Sequence, residues 1–451
     1  MSLTQGAIPT YSIKSVLLRL PNWLGDSVMI SPAFEWLKKS FVNADFTLVG
    51  TKASCGIYER DERVKRIVID TSKSAKCRIY ATRKLAKEIG IHDLAISFTN
   101  TFFSALLLYW SKSKVRIGYA KNARSFLLTH ALPLHKYDWQ GNIKHQVCLY
   151  LELIASLESV QKQAYETYKN ALDDKSGGNF LPKDTLKLQE QLAHIQNLQD
   201  CIDSASQMQF QLDLLPILST MPLQLIASAL TLPTQSYTIG INPGAAFGSA
   251  KCWEKSYFIA IIEYFLTCSY DVYLFGSSES SRTNAQIAES IANHPNIGFF
   301  HDLTDKTNLS QLIDYIAAMN VFITNDSGPM HIAAALKVPM VAIFGPTNIK
   351  ETAPYAPKPL HSLPLMPTGF KDTKNTQSPE IILEDSTMQS HKDSPYHSCV
   401  LLCKYVPCAP CKKRECPLKH HQCMKLITPE EVITHTINLL KNSTKGLNND
   451  T

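Results

Sequence analysis

Short apolar runs alternate with amphipathic stretches along most of the chain, and the alternation falls into two blocks. In the first, "SVLLRL" (15–20), "DFTLVG" (45–50), "RIVID" (66–70), "DLAISF" (93–98) and "VRIGYA" (115–120) are too uniformly apolar for strands with one wet face. They read as strands covered on both sides, the pattern of a parallel sheet. Helically spaced stretches such as 33–40 and 81–87 separate them. The second block repeats the scheme with "YTIGINPG" (237–244), "DVYLFGSS" (271–278), "NIGFF" (296–300), "VFITND" (321–326) and "PMVAIFG" (339–345). This predicts an α/β protein of two facing doubly wound parallel-sheet domains with an inserted helical segment.

That insert reads from two stretches rich in Leu, Gln, Lys and Glu at helical spacing, 145–175 and 183–215, broken by "SGG" at 176–178. Residues 359–398 are rich in Pro, Ser and Thr and weakly periodic, which predicts a loop insertion; 429–441 reads as a helix with Pro in its first turn. The expected organisation is an N-terminal β/α domain (1–150), a helical insertion or linker (151–235), a C-terminal β/α domain (236–358), the loop insertion (359–398) and a Cys-rich segment with a closing helix (399–451).

Length supports two domains, since 451 residues exceed one ordinary core. A hydrophobic fraction of 45% with 19% charged residues suits a soluble globular chain. The net charge of +6 is not gathered into a long basic block, so nucleic acid is not an expected partner, whereas an anionic membrane or substrate is compatible with it. The greasiest run, "SALLLYW" at 104–110, is far too short to span a bilayer, and the first residues lack the features of a signal peptide. A cytoplasmic location is expected, with the 12 cysteines as thiols or metal ligands rather than disulfides.

Ligands of doubly wound sheets bind beyond the carboxyl ends of the strands, so the loops there are the place to look. The first strand ends in "PNWLGDS", which holds Asn22, Trp23, Gly25 and Asp26. Turn chemistry accounts for the proline and glycine but not for a tryptophan beside a carboxylate. Asp26 reads either as the N-cap of a helix starting near Ser27 or as a general base over the cleft. "NPGAAFGSAKCW" offers small residues (Gly244, Ala246) that let backbone approach a ligand, and one compact cation, Lys251. This suits a phosphate or diphosphate, though an ordinary turn with a solvated lysine has the same pattern. In "TNDSGPMHIAAA", Asp326, Ser327 and Gly328 open a helix whose first N–H groups can hold an anion. His331 there either bonds a phosphate oxygen or packs in the core. Glu279 in "FGSSES" is placed for sugar hydroxyls, or is merely solvated. Three such loops on one rim suggest a nucleotide-diphosphate site, and no Gly-x-Gly-x-x-Gly follows a strand to suggest a dinucleotide enzyme. Near the end, Cys408, Cys411, Cys416 and Cys423 have the spacing C-x2-C-x4-C-x6-C, which fits a structural zinc ion or plain packing.

The segments "RLPNWLGDSVMISPA", "NPGAAFGSAKCW", "TNDSGPMHIAAALKVPMVAIFGPT" and "CAPCKKRECPLKHHQC" resemble the ADP-heptose:lipopolysaccharide heptosyltransferases of glycosyltransferase family 9. The pattern is most similar to that of members adding the second heptose. The resemblance implies a GT-B fold, with the acceptor on the N-terminal domain and ADP-heptose on the C-terminal one. It implies an inverting transfer of L-glycero-D-manno-heptose to a lipid A-linked inner-core oligosaccharide, with no cofactor or catalytic metal required and peripheral contact with the inner membrane. In this light Asp26 is the base; Gly244, Ala246, Lys251, Glu279, Asp326, Ser327, Gly328 and His331 bind the donor; Asn22, Trp23 and Gly25 form the acceptor loop; Thr307 lies near the adenine. Lys38, Lys39, Arg116 and Arg124 are candidate contacts for an anionic acceptor. Transfer of the first or a later heptose is the near alternative, and a non-catalytic sugar-nucleotide-binding protein the distant one.

Overall fold

The fold is described from a computed structural model over residues 13–138, 141–173, 215, 217–234, 236–355, 357, 387–389 and 399–447. The first block forms β1 (Ser15–Arg19), α1 (Leu24–Met29), α2 (Ser31–Ser40), β2 (Asp45–Gly50), α3 (Lys52–Gly56), β3 (Val64–Ile69), α4 (Arg78–Ile89), β4 (Leu94–Ser97), α5 (Phe102–Trp110), β5 (Val115–Tyr119) and β6 (His130–Leu132). The strands make a parallel six-stranded sheet in the order β3-β2-β1-β4-β5-β6. The order reverses beside β1, so the crevice of this sheet opens where the "PNWLGDS" loop leaves it. Alternation along β1 shows why both faces are apolar: Val16 and Leu18 enter one core, and Leu17 enters another on the opposite face.

Two helices, α6 (Gln146–Ala155) and α7 (Glu158–Asp173), pack against α2. The expected domain boundary at 150 therefore cuts α6, which belongs to the first domain. Its helical spacing had been assigned to an insert, but its apolar face (Tyr150, Leu151, Ile154) is buried with the first sheet. A strap follows at 217–223, with Leu218 buried and its carbonyl accepting from Trp36 Nε1 at 2.9 Å. The helix expected over 183–215 lies outside the described residues except at Leu215.

The second block forms β7 (Thr238–Asn242), α8 (Lys255–Thr267), β8 (Asp271–Leu274), α9 (Ser281–Ile291), β9 (Phe300–Asp302), α10 (Leu309–Ala317), β10 (Val321–Asn325), α11 (Gly328–Ala335), β11 (Met340–Phe344), α12 (Ile349–Thr352), β12 (Thr387–Gln389), β13 (Cys399–Cys403), α13 (Gln422–Lys425) and α14 (Pro429–Leu447). Its seven-stranded sheet runs β12-β13-β11-β10-β7-β8-β9, parallel except for the β12 edge. Three expectations shift here. The run at 296–300 is mostly a 3-10 turn, Ile297–Phe299, ahead of β9. Cys399 and Cys403 bound a parallel strand paired with β11. Strand β12 lies inside the expected loop insertion (359–398), the rest of which is outside the described residues. Because β13 joins the sheet and α14 packs on α8 and β11, the C-terminal segment is part of the second domain.

The two domains share a core. One cluster contains Val16, Leu18, Phe34 and Tyr150 from the first half together with Phe322, Met330, Ala334 and Phe344 from the second. Helix α1 crosses α11 at close range beside it. A Cβ added to Gly25 would stand 2.7 Å from the His331 ring, and one added to Gly328 2.9 Å from Leu24. Gly25 is thus required by close approach, not by turn geometry.

Candidate active site

Asp26 is not an N-cap. The helix begins earlier, with Trp23 at the cap position, and Asp26 sits in its first turn. Its Oδ1 instead accepts a hydrogen bond from the Tyr150 hydroxyl at 3.2 Å. Burial raises the carboxyl pKa above the usual range; the Tyr150 bond and the Lys251 ammonium oppose the rise, and Asp326 adds to it. The side chain is still partly exposed, so it can meet a substrate. Tyr150 is itself buried, with a hydroxyl pKa well above 10 because of burial and the Asp26 charge, and so remains a donor. Sequence reading missed Tyr150, because it lies 124 residues away on a helix assigned to the insert.

The loop after β7 is fixed by two buried asparagines. Asn325 Nδ2 donates to the Pro243 carbonyl at 2.7 Å, and Asn242 Nδ2 to Ser327 Oγ at 3.1 Å. Gly248, at φ +150°, lets the loop turn against the Arg414 carbonyl. Lys251 follows in a 3-10 turn, its Nζ 2.6 Å from Asp326 Oδ2 and 4.9 Å from the centre of the Phe247 ring. The lysine is therefore aimed and paired, not solvated. Thr347 Oγ1 also donates to Asp326. Next door, Ser327 is the N-cap of α11 but makes no side-chain cap bond, so the N–H groups of Gly328 and Met330 are left for an anion. Of the donor residues expected from sequence, Lys251, Asp326, Ser327 and Gly328 thus stand together at the start of α11.

His331 settles between its two readings. It is buried, its pKa is pushed down to about 4 by burial, and it packs on Gly25 with Nδ1 bonded to no protein atom. It is a neutral ring at the domain crossing with one ring nitrogen open. Gly244 lies against Ser280, and the Asp305 N–H donates to the Gly276 carbonyl, so the loops of Gly244, Glu279 and Thr307 adjoin on one rim. Ala246 and Glu279 are exposed there; Thr307 is half-buried just before the Asn308 cap of α10.

On the acceptor side, Asn22 is exposed, but its Oδ1 already accepts from Arg19 Nη2 at 3.0 Å, a buried cation paired with Asp70 at 2.9 Å. Trp23 is 46% exposed with the Arg414 guanidinium 5.9 Å from its ring centre, and Arg414 also lies 5.6 Å from the Phe247 ring. Arg414 thus bridges the acceptor and donor loops, a contact no local sequence pattern announces. Three of the four candidate acceptor cations are engaged elsewhere. Arg124 is fully buried, bonding Tyr119 O and Ser104 Oγ; Arg116 donates to Ser113 O and Leu127 O; Lys38 pairs with Glu35 and Asp61. Lys39 lies over the Trp36 ring.

Cys408, Cys411, Cys416 and Cys423 line one cavity of about 20 Å³, room for a single atom-sized guest. Backbone N–H groups of 418–421 lower the Cys416 pKa, while burial and the other three sulfurs push Cys423 up to about 11. Among the described residues, however, no three His, Cys, Asp or Glu side chains stand ready to hold a metal ion. What the segment gives the site is position: Ala250 N–H donates to Arg414 O at 3.0 Å, and His421 Nε2 bonds Ala250 O at 3.0 Å, beside Lys251.

The model of glycosyltransferase family 9 (heptosyltransferase) matches residues 82–378, and lipooligosaccharide heptosyltransferase 2 of Campylobacter jejuni is 30% identical over 95% of this chain and 99% of its own. The chain belongs to glycosyltransferase family 9. Lipopolysaccharide heptosyltransferase 2 of Salmonella typhimurium is 25% identical over 76% of this chain and 86% of its own. The fold matches Escherichia coli ADP-heptose lps heptosyltransferase II with a TM-score of 0.62 at 20% identity, covering 95% of this chain and 99% of that one. The family match starts after the Asp26 loop, so the role of this family member's carboxylate rests on its geometry.

Proposed function

We propose that the protein transfers L-glycero-D-manno-heptose from ADP-heptose to the lipopolysaccharide inner core, adding the second heptose to Kdo-lipid A that already carries one. The relatives named above as heptosyltransferase 2 support the substrate class. One observation carries the mechanism: α1, which holds Asp26 of the N-terminal domain, packs through Gly25 on Gly328 and His331 at the uncapped start of α11, where Asp326 pairs with Lys251 of the C-terminal domain.

In this reading Asp26 removes the proton of the acceptor hydroxyl, whose oxygen attacks the anomeric carbon from the face opposite the diphosphate. That bond forms as the bond to the phosphate oxygen breaks, and ADP leaves with the electron pair, inverting the centre. Lys251 and the N–H groups of Gly328 and Met330 stabilise the charge growing on the leaving phosphate. They supply the cation that a divalent metal would otherwise bring, so we read the transfer as metal- and cofactor-independent. Asp326 holds Lys251 until the diphosphate takes its place. The acceptor is lipid-linked, and among the described residues no helix is long and apolar enough to cross a membrane, which agrees with peripheral work at the cytoplasmic face of the inner membrane.

The test is a transfer assay with ADP-heptose and Kdo-lipid A bearing no heptose or one, after EDTA dialysis, on wild type and Asp26→Ala. Expected is turnover of the monoheptosylated acceptor by wild type alone, with donor binding kept in both. Preference for the bare acceptor would move the step to the first heptose. Donor binding without transfer by either protein would make this a silent binder.

A further inference from the structure

We propose that the rim of the N-terminal sheet, outside the carboxyl ends of β3, β4 and β5, is a docking surface for an anionic lipid bilayer. The inference deepens the reading above, resting on a lipid-linked acceptor. It begins with charge. Residues 71–137 hold twelve Lys and Arg against two acids, Glu88 and Asp93, a net +10 in a chain whose total is +6. The remainder is therefore net −4, so the basic character is concentrated in half of one domain. The linear sequence hides this because no run of it is densely basic.

Topology then places part of that charge on one edge. In a parallel sheet every segment that directly follows a strand emerges on the same rim. The residues after β3 bring Lys73, Lys76, Ile79 and Tyr80; those after β4 bring Phe102 and Phe103; those after β5 bring Lys121 and Phe126. Phe126, Tyr80 and Ile79 are 74%, 70% and 60% exposed, unusual for large apolar side chains. Phe126 and Phe102 rings lie 6.3 Å apart, Phe102 and Phe103 6.1 Å, and the Arg78 guanidinium stands 3.8 Å from the Phe103 ring centre. Phe126, Phe102, Phe103 and Arg78 thus form one strip, with Ile79 and Tyr80 next along the chain. Lys73, Lys76 and Lys121 flank it, all exposed.

Aromatic side chains among cations, with the acid that directly follows β3, Asp70, already paired with Arg19, suit the headgroup boundary of an anionic membrane, where rings enter the interface and lysines meet phosphate. The same rim carries Trp23 after β1, and Phe98 at the end of β4 packs on Tyr150 with rings 5.6 Å apart, one hydrogen bond from Asp26. A bilayer seated here would present a lipid-linked sugar to the cleft without removing its acyl chains from the membrane.

Flotation with vesicles of phosphatidylethanolamine and phosphatidylglycerol, against phosphatidylcholine alone, tests the surface at low ionic strength. The expected result is that the wild type floats with the anionic vesicles. Lys73→Glu/Lys76→Glu/Lys121→Glu and, separately, Tyr80→Ser/Phe126→Ser should bind at least about tenfold less, with unchanged melting temperatures. Both variants should keep wild-type transfer to a deacylated, water-soluble acceptor sugar. Wild type that does not float, or variants that float like it, overturns the docking surface even where transfer is intact. Anionic-vesicle binding lost in both variants, with no transfer by any of the proteins, keeps the surface and removes the functional reading instead.

Discussion

At the scale of single residues, the carboxylate of Asp26 sets a conflict between stability and chemistry. Burial raises its folded-state pKa above the unfolded value, so between those values the folded chain holds a proton that the unfolded chain has released. The contribution to stability is favourable below the unfolded pKa, falls as pH rises through the folded one, and is a cost at neutral pH. Asp26→Asn keeps the acceptor oxygen for Tyr150 while removing the charge. It should raise the melting temperature at pH 7, an advantage that vanishes below the ordinary carboxyl pKa of 3.8, while kcat falls by about 10²- to 10⁴-fold. Paired melts at the two pH values and a transfer assay check this. Tyr150→Phe acts in the opposite sense on titration. Its hydrogen bond lowers the Asp26 pKa, so its loss moves the acidic limb of the kcat profile to higher pH. A profile that stays in place would give Tyr150 a packing role only.

At the scale of elements, the site depends on how closely two short helices cross. Gly25→Ala drives a methyl into the His331 ring at 2.7 Å, and that ring is buried with little room to turn. We expect a loss of about 1–3 kcal/mol in denaturant unfolding, together with a larger fall in kcat than in donor affinity, since Asp26 is displaced from Lys251. An equal fall in both would place the damage in folding alone. Elements also show what could be read without coordinates. The long strands were legible because a parallel sheet buries both faces and leaves continuous apolar runs, and β2 lies where the pattern put it. The start of α1 was not, since Leu24 and Gly25 carry no helical period, and the helix read from near Ser27 begins at Leu24. Strand β13 was missed because its five residues lie in a segment read only as Cys-rich, and β6 is only three residues long. In the same way, the donor loops announced themselves by Gly, Lys and Asp after strands. Tyr150 and Arg414 reach the site only through tertiary packing.

At the scale of the whole molecule, two sheets with separate strand orders would suggest two independent unfolding units. The packing argues otherwise. Residues on the inner faces of both sheets meet in one cluster, Leu18 and Leu48 with Phe322 and Phe344, while each outer face has its own. Polar contacts cross at the same boundary. Arg60 Nη2 donates to Asp314 Oδ2 at 2.6 Å, the Ser228 N–H reaches the other oxygen at 2.7 Å, and His145 Nε2 bonds the Ala353 carbonyl at 2.9 Å. Opening one half would strand apolar surface and a paired carboxylate on the other. We therefore expect a single cooperative thermal transition, with calorimetric and van't Hoff enthalpies in agreement. ADP-heptose, the proposed donor, should shift that transition upward as a unit, because the start of α11 that would hold it is formed only in the folded state and α11 lies in the shared core. Two resolved transitions, with only the later one moved by donor, would mean that the shared core does not couple the domains. Asp26 and Lys251 would then be brought together by the substrate and not by the fold.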